Sequence, residues 1–247
     1  MIRTVLWAVV FATGLGSTAH AQATALSTQV DPARLKVGVD SFAVLMRGTP
    51  MGWQTLARTR DSQTMGWELR DAIALGGMVN QESILSFTAT LAERTLRQSG
   101  VMRGAPMRIA LDFVPAADGV RIIGQSATPT SAGGVLAIDT VVPVGTVDDN
   151  AVTPLLAAVR WREGLDLRVP VLTSGKGTVA EYRLRVLRAD TVTVPAGHFD
   201  VWRIEQQAER SMVTLFVTRT APYRLVRMQE SGMSLDIVLV STRNTPR

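Results

Sequence analysis

An all-β fold is expected, built as a single long antiparallel meander of about nine to eleven strands curled into a half-barrel or barrel. Three observations predict it. Apolar and polar residues alternate with period two in several segments. Turn-forming residues separate those segments at short intervals. The sequence also lacks the long helical crossovers that parallel neighbours require, so consecutive strands should pair as hairpins. An open twisted sheet of that many strands bends rather than staying flat, and a bent sheet has an inside.

The chain begins with the signature of export. Met1-Ile2-Arg3 gives a positive start, Thr4 to Gly16 an apolar run, and Ala19-His20-Ala21 a small-x-small cleavage site, so residues 1–21 are expected to be a signal peptide. The run is too short to span a bilayer, no later segment is apolar for long enough, and no cysteine follows to carry a lipid anchor. A soluble periplasmic protein without a transmembrane anchor is therefore expected, with an extracellular destination as the alternative. Residues 22–32 are rich in Ala, Thr, Ser and Gln without periodicity and should form a flexible N-terminus. Residues 33–241 should form one curved sheet domain, and 242–247 a polar tail.

Within that domain, Leu85, Phe87, Ala89 and Leu91 alternate with Ser86, Thr88 and Thr90, and Met107, Ile109, Leu111 and Phe113 alternate with Arg108, Ala110 and Asp112. The pattern returns at Tyr182, Leu184 and Val186, at Val213, Leu215 and Val217, and at Leu235, Ile237 and Leu239. Pro115 to Gly119, Ser174 to Gly177 and Pro195-Ala196-Gly197 supply the turns. A weaker alternative bends Leu91 to Gln98 into a helix. One short helix is expected near 154–161: Thr153 can cap it, Pro154 suits its first position, and Asp148 and Asp149 sit on the favourable side of its dipole. The tripeptide Met51-Gly52-Trp53 recurs as Met65-Gly66-Trp67. It reads either as paired aromatic contacts at a ligand mouth or as strand segments where glycine marks a bulge and tryptophan covers the gap.

The formal charge is +5, and loss of residues 1–21 would remove one arginine and no acid. Almost all the basic residues are arginines, Lys36 and Lys176 being the only lysines, and they are scattered. A nucleic-acid groove needs a concentrated basic stripe with aromatic platforms, so no nucleic-acid partner is expected. Scattered arginines suit solvated strand faces that discourage edge-to-edge association.

Candidate chemistry rests on isolated residues. There is no cysteine, which excludes thiolate nucleophiles and thiolate metal sites. His198 is the single histidine beyond the leader and shares a strand face with Asp200, the geometry of a charge-oriented general base for a hydrolase. Its plain reading is a histidine at a strand start. Asp148-Asp149 lacks the spacing of a calcium loop, Gly175-Lys176-Gly177 is too short for a phosphate loop, and no Gly-x-Ser-x-Gly elbow occurs. Neither a metal nor a cofactor is expected, nor enzymatic activity.

Gly48-Thr49-Pro50-Met51-Gly52 after the apolar Phe42 to Met46, then Thr193 to Ile204 with its Pro195-Ala196-Gly197-His198-Phe199 turn, and finally Ala221-Pro222-Tyr223-Arg224-Leu225-Val226-Arg227 carry a resemblance. Together they resemble the exported bacterial family known as domain of unknown function 3108, over most of residues 40–240. The resemblance implies a signal sequence and a curved antiparallel sheet, and it lends no catalytic residue. The same architecture is similar to that of envelope lipoprotein carriers, which hold acyl chains in a concave apolar face. Gly48, Pro50, Gly52, Pro195, Gly197 and Pro222 are expected to be turn residues, with Gly52 and Gly197 taking positive φ. The expected function is non-enzymatic binding of an apolar or amphiphilic ligand on the concave face, lined by Trp53, Trp67, Phe87, Phe113, Tyr182, Trp202 and Tyr223. The alternative is an assembly module that docks an envelope protein through a sheet edge.

Overall fold

A computed structural model describes residues 26–129, 134–208 and 211–244; the expected signal peptide lies outside them. The first half of the sheet comprises β1 (Gly38–Met46), β2 (Thr49–Arg60), β3 (Trp67–Leu75), β4 (Val79–Phe87), β5 (Glu93–Met102), β6 (Ala105–Ala116), β7 (Gly119–Ala127) and β8 (Leu136–Val142). After β9 (Val147–Asp148) and the helix α1 (Asp149–Leu155) come β10 (Asp166–Thr173), β11 (Thr178–Val194), β12 (Gly197–Gln207), β13 (Met212–Thr218), β14 (Leu225–Glu230) and β15 (Leu235–Asn244). All fifteen belong to one sheet running from β8 at one edge, through β1 paired with β15 at the centre, to β9 at the other edge. Every pairing is antiparallel except β9 with β10.

There are more strands than the nine to eleven expected, because several hairpins turn on two residues that carry no polar gap. Arg47-Gly48 and Arg103-Gly104 both have positive φ at each position, the backbone that matches the twist of a two-residue hairpin. Arginine is not a residue that announces a left-handed conformation.

The inward side chains form rows across the strands. Leu69, Leu85, Leu96 and Leu111 are directly opposite one another on β3 to β6 and fully buried. The row ends at Gly124 of β7, where a Cβ would lie 2.0 Å from the Ala110 carbonyl oxygen, so only glycine lets the strands approach. In the other half, Ile204, Leu215, Met228, Ile237 and Val44 form a matching row. At roughly 25 cal/mol for each Å² of apolar surface removed from water, these rows are the main stabilising contribution.

The sheet is curled but not closed. Its two edges meet through side chains: Ile138 of β8 lies where a Cβ on Gly177 would be 3.2 Å away, and Ser126 Oγ donates to the Gly175 carbonyl at 3.4 Å. α1 packs within the curl, with Val152 in one apolar cluster and Ala151 and Leu155 in the other. It starts earlier than expected. Asp148 is the cap, its side chain accepting from the Asn150 N–H, while Pro154 falls in the last turn and a 3-10 turn (Leu156–Ala158) continues the path. The stronger acidic cap at Asp148 displaces Thr153. Leu91 to Gln98 forms no helix: β4 stops at Phe87, Leu91 turns with φ 66°, and β5 starts at Glu93.

The terminal boundaries also differ from expectation. Residues 26–32, expected to be flexible, hold 3-10 turns, bury Leu26, and bond Asp31 N–H to the Ala158 carbonyl. Residues 242–244, placed in the tail, extend β15 against β1 as far as Asn244 opposite Gly38. Both segments gain partners only once distant parts of the chain fold beside them.

Candidate functional site

The N-terminal strap, residues 29–37, crosses one end of the curled sheet. Backbone bonds tie it to the 3-10 turn after α1 and the residues that follow, with the Arg160 N–H donating to the Gln29 carbonyl at 2.9 Å, and its own Leu35 is buried. Between the strap and the sheet opens a cleft of about 1000 Å³. Pro32, Ala33, Leu35 and Val37 line it from the strap, Ala221 and Pro222 from the loop between β13 and β14, and Met65 and Trp67 from the approach to β3. This wall is predominantly apolar, and two cations, Lys36 and Arg60, complete it. Such a volume lies at the top of the range of about 300–1,000 Å³ usual for small-molecule sites.

The local geometry follows from the recurring tripeptide. Arg60 and Trp67 are directly opposite at the ends of β2 and β3. The Arg60 guanidinium carbon stands 4.6 Å from the indole centroid, a cation–π contact. Met65 has φ 56° and is exposed, and a Cβ on Gly66 would meet the Phe87 carbonyl oxygen at 2.4 Å. The glycine is thus required for Trp67 to enter the sheet. In the first copy, Gly52 lies beside a register shift between β1 and β2, where a Cβ would sit 1.8 Å from the Ala74 carbonyl oxygen. The close approach, not the positive φ expected there, explains Gly52. Gly48 and Gly197 do take positive φ, at 78° and 135°. Pro50 sits at the same bulge, Pro195 opens the β11–β12 turn, and Pro222 follows a cis peptide and accepts from Thr218 Oγ1.

The seven aromatic candidates are dispersed. Trp67 alone lines the cleft, 5% exposed. Phe87 and Phe113 are core residues in the same apolar cluster. Trp53 points outward and is 48% exposed. Tyr182 and Trp202 pack against the other cluster, Trp202 beneath the Arg219 guanidinium. Tyr223 stacks under the strap's Arg34, 3.3 Å from guanidinium carbon to ring centroid. His198 is exposed and pairs through Nδ1 with Thr193 Oγ1 at 2.9 Å, while Asp200 accepts the Arg219 N–H through its backbone carbonyl.

Behind the cleft, Asp40 is buried between two arginines, with Arg58 at 2.6 Å and Arg224 at 3.0 Å. Arg58 also donates from Nε to the Lys36 carbonyl, which ties the strap to this cluster. A second, more polar cleft of about 660 Å³ lies beyond Ala221 and Pro222, where Thr218, Thr220, Arg224, Ser241 and Thr242 contribute hydroxyls and a guanidinium.

A different polar cluster surrounds the start of α1. Asn150 Oδ1 accepts from Ser83 Oγ and from Gln98 Nε2, both at 3.0 Å, and its amide donates to Asp148 Oδ1. Glu93 Oε2 accepts the Asp148 N–H at 3.0 Å. Loss of water pushes the Glu93 carboxyl up to about 8, with neighbouring Asp149 adding to the rise, and burial raises Asp148 well above the usual carboxylate range. Asp71, bonded to Gln54 Nε2, is pushed up to about 6 by desolvation. Among the described residues no group of three or more His, Cys, Asp or Glu is placed to hold a metal ion, and no helix is long and apolar enough to cross a membrane.

Sequence reasoning did not single out the strap residues, Arg60 or Glu93 for the interior. The second Met-Gly-Trp copy and the Ala221-Pro222 stretch were the signals at this end of the sheet; Lys36 and Arg60 carry none, since their juxtaposition is tertiary.

One solved structure agrees with the architecture. The chain is similar to a beta-barrel-like protein of domain of unknown function DUF1849 from Brucella abortus, with 9% identity, a TM-score of 0.58, and coverage of 86% of this chain and 99% of that one. It is also similar to a protein with a YmcC-like fold from Bacteroides fragilis, with 9% identity, a TM-score of 0.35, and coverage of 85% and 97%. No curated protein matches the sequence. The family model described as a protein of unknown function, DUF3108, matches residues 41–236, from β1 to the start of β15, and the chain belongs to that family.

Proposed function

We propose that the protein is a non-enzymatic binder of an apolar or amphiphilic ligand, working in the envelope after export, and that the ligand sits in the cleft beneath the N-terminal strap. One observation carries the reading. The curl of the sheet is filled by its own leucine rows and by α1, whereas the strap end leaves about 1000 Å³ walled mainly by apolar side chains. A soluble protein gains nothing in stability from such a wall facing water, and convergent polar groups at an apolar cleft are the usual form of a ligand site.

The test is fluorescence of the neutral apolar probe N-phenyl-1-naphthylamine, titrated with the purified protein. Saturable enhancement is expected for the natural sequence and loss of it for Ala33→Trp, which fills the cleft from an exposed strap position. Equal enhancement by both proteins, or none by either, would overturn the assignment.

A second reading is favoured by β8, an edge strand with a partner on one side only and with Leu136 and Val141 exposed. Strand addition by an envelope protein would use its free N–H and carbonyl groups. Neighbouring residues in an antiparallel strand point their N–H groups to opposite sides, so of prolines placed singly at Thr140 and Val141, one removes an outward donor and the other a donor toward β7. Cross-links to a partner that survive both substitutions would exclude this docking mode.

A further inference from the structure

Two unpaired cations and one buried indole N–H without an acceptor belong to residues that line the cleft. Trp67 is 95% removed from solvent, yet its Nε1–H has no hydrogen-bond partner. Arg60, stacked on the same indole, forms no ion pair among the described residues, and neither does Lys36 on the opposite wall. Arg34 Nε, on the strap between cleft-lining Ala33 and Lys36, is also buried without an acceptor. The nearest acid in sequence, Asp61, is engaged within its own loop, accepting from the Gln63 and Thr64 N–H groups and from Thr64 Oγ1. Asp40 is saturated by Arg58 and Arg224. Buried donors normally find partners, and an unmet indole N–H next to an unpaired cation is a place for an acceptor that carries negative charge.

We infer that the cleft selects an amphiphile with an anionic head group, its single alkyl chain lying along Leu35, Val37, Met65 and Pro222 and its head held between Lys36, Arg60 and the Trp67 N–H. This rests on the cleft being the ligand site and adds the sign and position of the charge. Carboxylate and phosphate heads share the required chemistry, since each offers several acceptor oxygens to a cation and a neutral donor. Arg60 keeps its stacking contact when the head binds, because the ring face and the N–H edge of an indole serve different partners.

The experiment is displacement of N-phenyl-1-naphthylamine by decanoate, decyl phosphate and decanol, with acetate and inorganic phosphate as chain-free controls, at about pH 8 where carboxylates are ionised. Either anionic amphiphile should displace the probe at about tenfold lower concentration than decanol, a preference that shrinks with added salt. Lys36→Gln and Arg60→Gln, both at exposed positions, should each reduce that preference several-fold, read as the ratio of decanoate to decanol displacement within each variant. Comparison of the two anions tells carboxylate from phosphate. Equal displacement by decanol and decanoate, or displacement by acetate or phosphate as strong as by their decyl forms, would overturn the inference while the cleft reading stood. Failure of the probe itself to bind would instead remove the cleft reading.

Discussion

Arg121 of β7 holds Asp139 of β8 on the outer face, its Nε and one terminal nitrogen each donating to a carboxylate oxygen, with both side chains about half exposed. At the strap end, Asp40 is held by two arginines with all three side chains below a tenth exposed. The contacts are alike and the surroundings opposite. Outside, water solvates each partner almost as well as the other partner does, so the pair adds little beyond keeping the strand face polar. Inside, three charges have left water, and each depends on the others for compensation. The glutamate and aspartates around α1 are a third case, buried near one another with no cation among their hydrogen-bond partners; those whose ionisation shifts clearly lean toward the protonated form.

The contrast is broken most severely at Asp40. Asp40→Asn should cost about 3–5 kcal/mol, because Arg58 and Arg224 would remain buried without a counter-charge. The urea midpoint reads this directly. A triple change of Asp40, Arg58 and Arg224 to apolar residues of similar volume should recover most of the loss, whereas equal damage from both variants would mean that packing rather than charge sets the cost.

Glu93→Gln should have the next largest effect, and its sign depends on pH. A carboxyl raised in the folded state binds its proton more tightly there than in the unfolded chain. Its contribution is therefore fully present below the unfolded value of about 4.5 and is lost as pH rises through the folded value of about 8. The natural protein should weaken from mildly acidic toward alkaline pH, and Glu93→Gln, which keeps an acceptor for the Asp148 N–H, should flatten that profile and melt higher at alkaline pH. Asp71→Asn should act in the same direction over a narrower window, ending near pH 6. Smallest of all, Arg121→Ala should leave the urea midpoint unmoved within error; a clear drop would show that the outer ladder is cooperative.

Much of the sheet was legible because period-two alternation reports which face a strand buries. Met107, Ile109, Leu111 and Phe113 are all inward and buried on β6, and Leu235, Ile237 and Leu239 all lie on β15. The same rule overran at Ala89 and Leu91, where the chain turns although the alternation persists, since the pattern records burial and Leu91 is buried in a turn. Aromatic residues were a poor guide to the site. Phe87 and Phe113 are apolar because the core needs them, and only Trp67 stands where the core ends.

Local chemistry, then, was sufficient for the all-β class, for several hairpins and for the dependence of Gly197 on being glycine, because each rests on residues within a few positions of one another, whereas Gly66 is fixed by the Phe87 carbonyl across the β4 pairing. The pairing of β1 with β15, the seating of α1 within the curl, and the cleft at which Lys36, Arg60, Trp67 and Pro222 meet were decided only in three dimensions. Those arrangements join segments up to some two hundred residues apart, and no spacing along the chain encodes which buried surfaces will come to face each other.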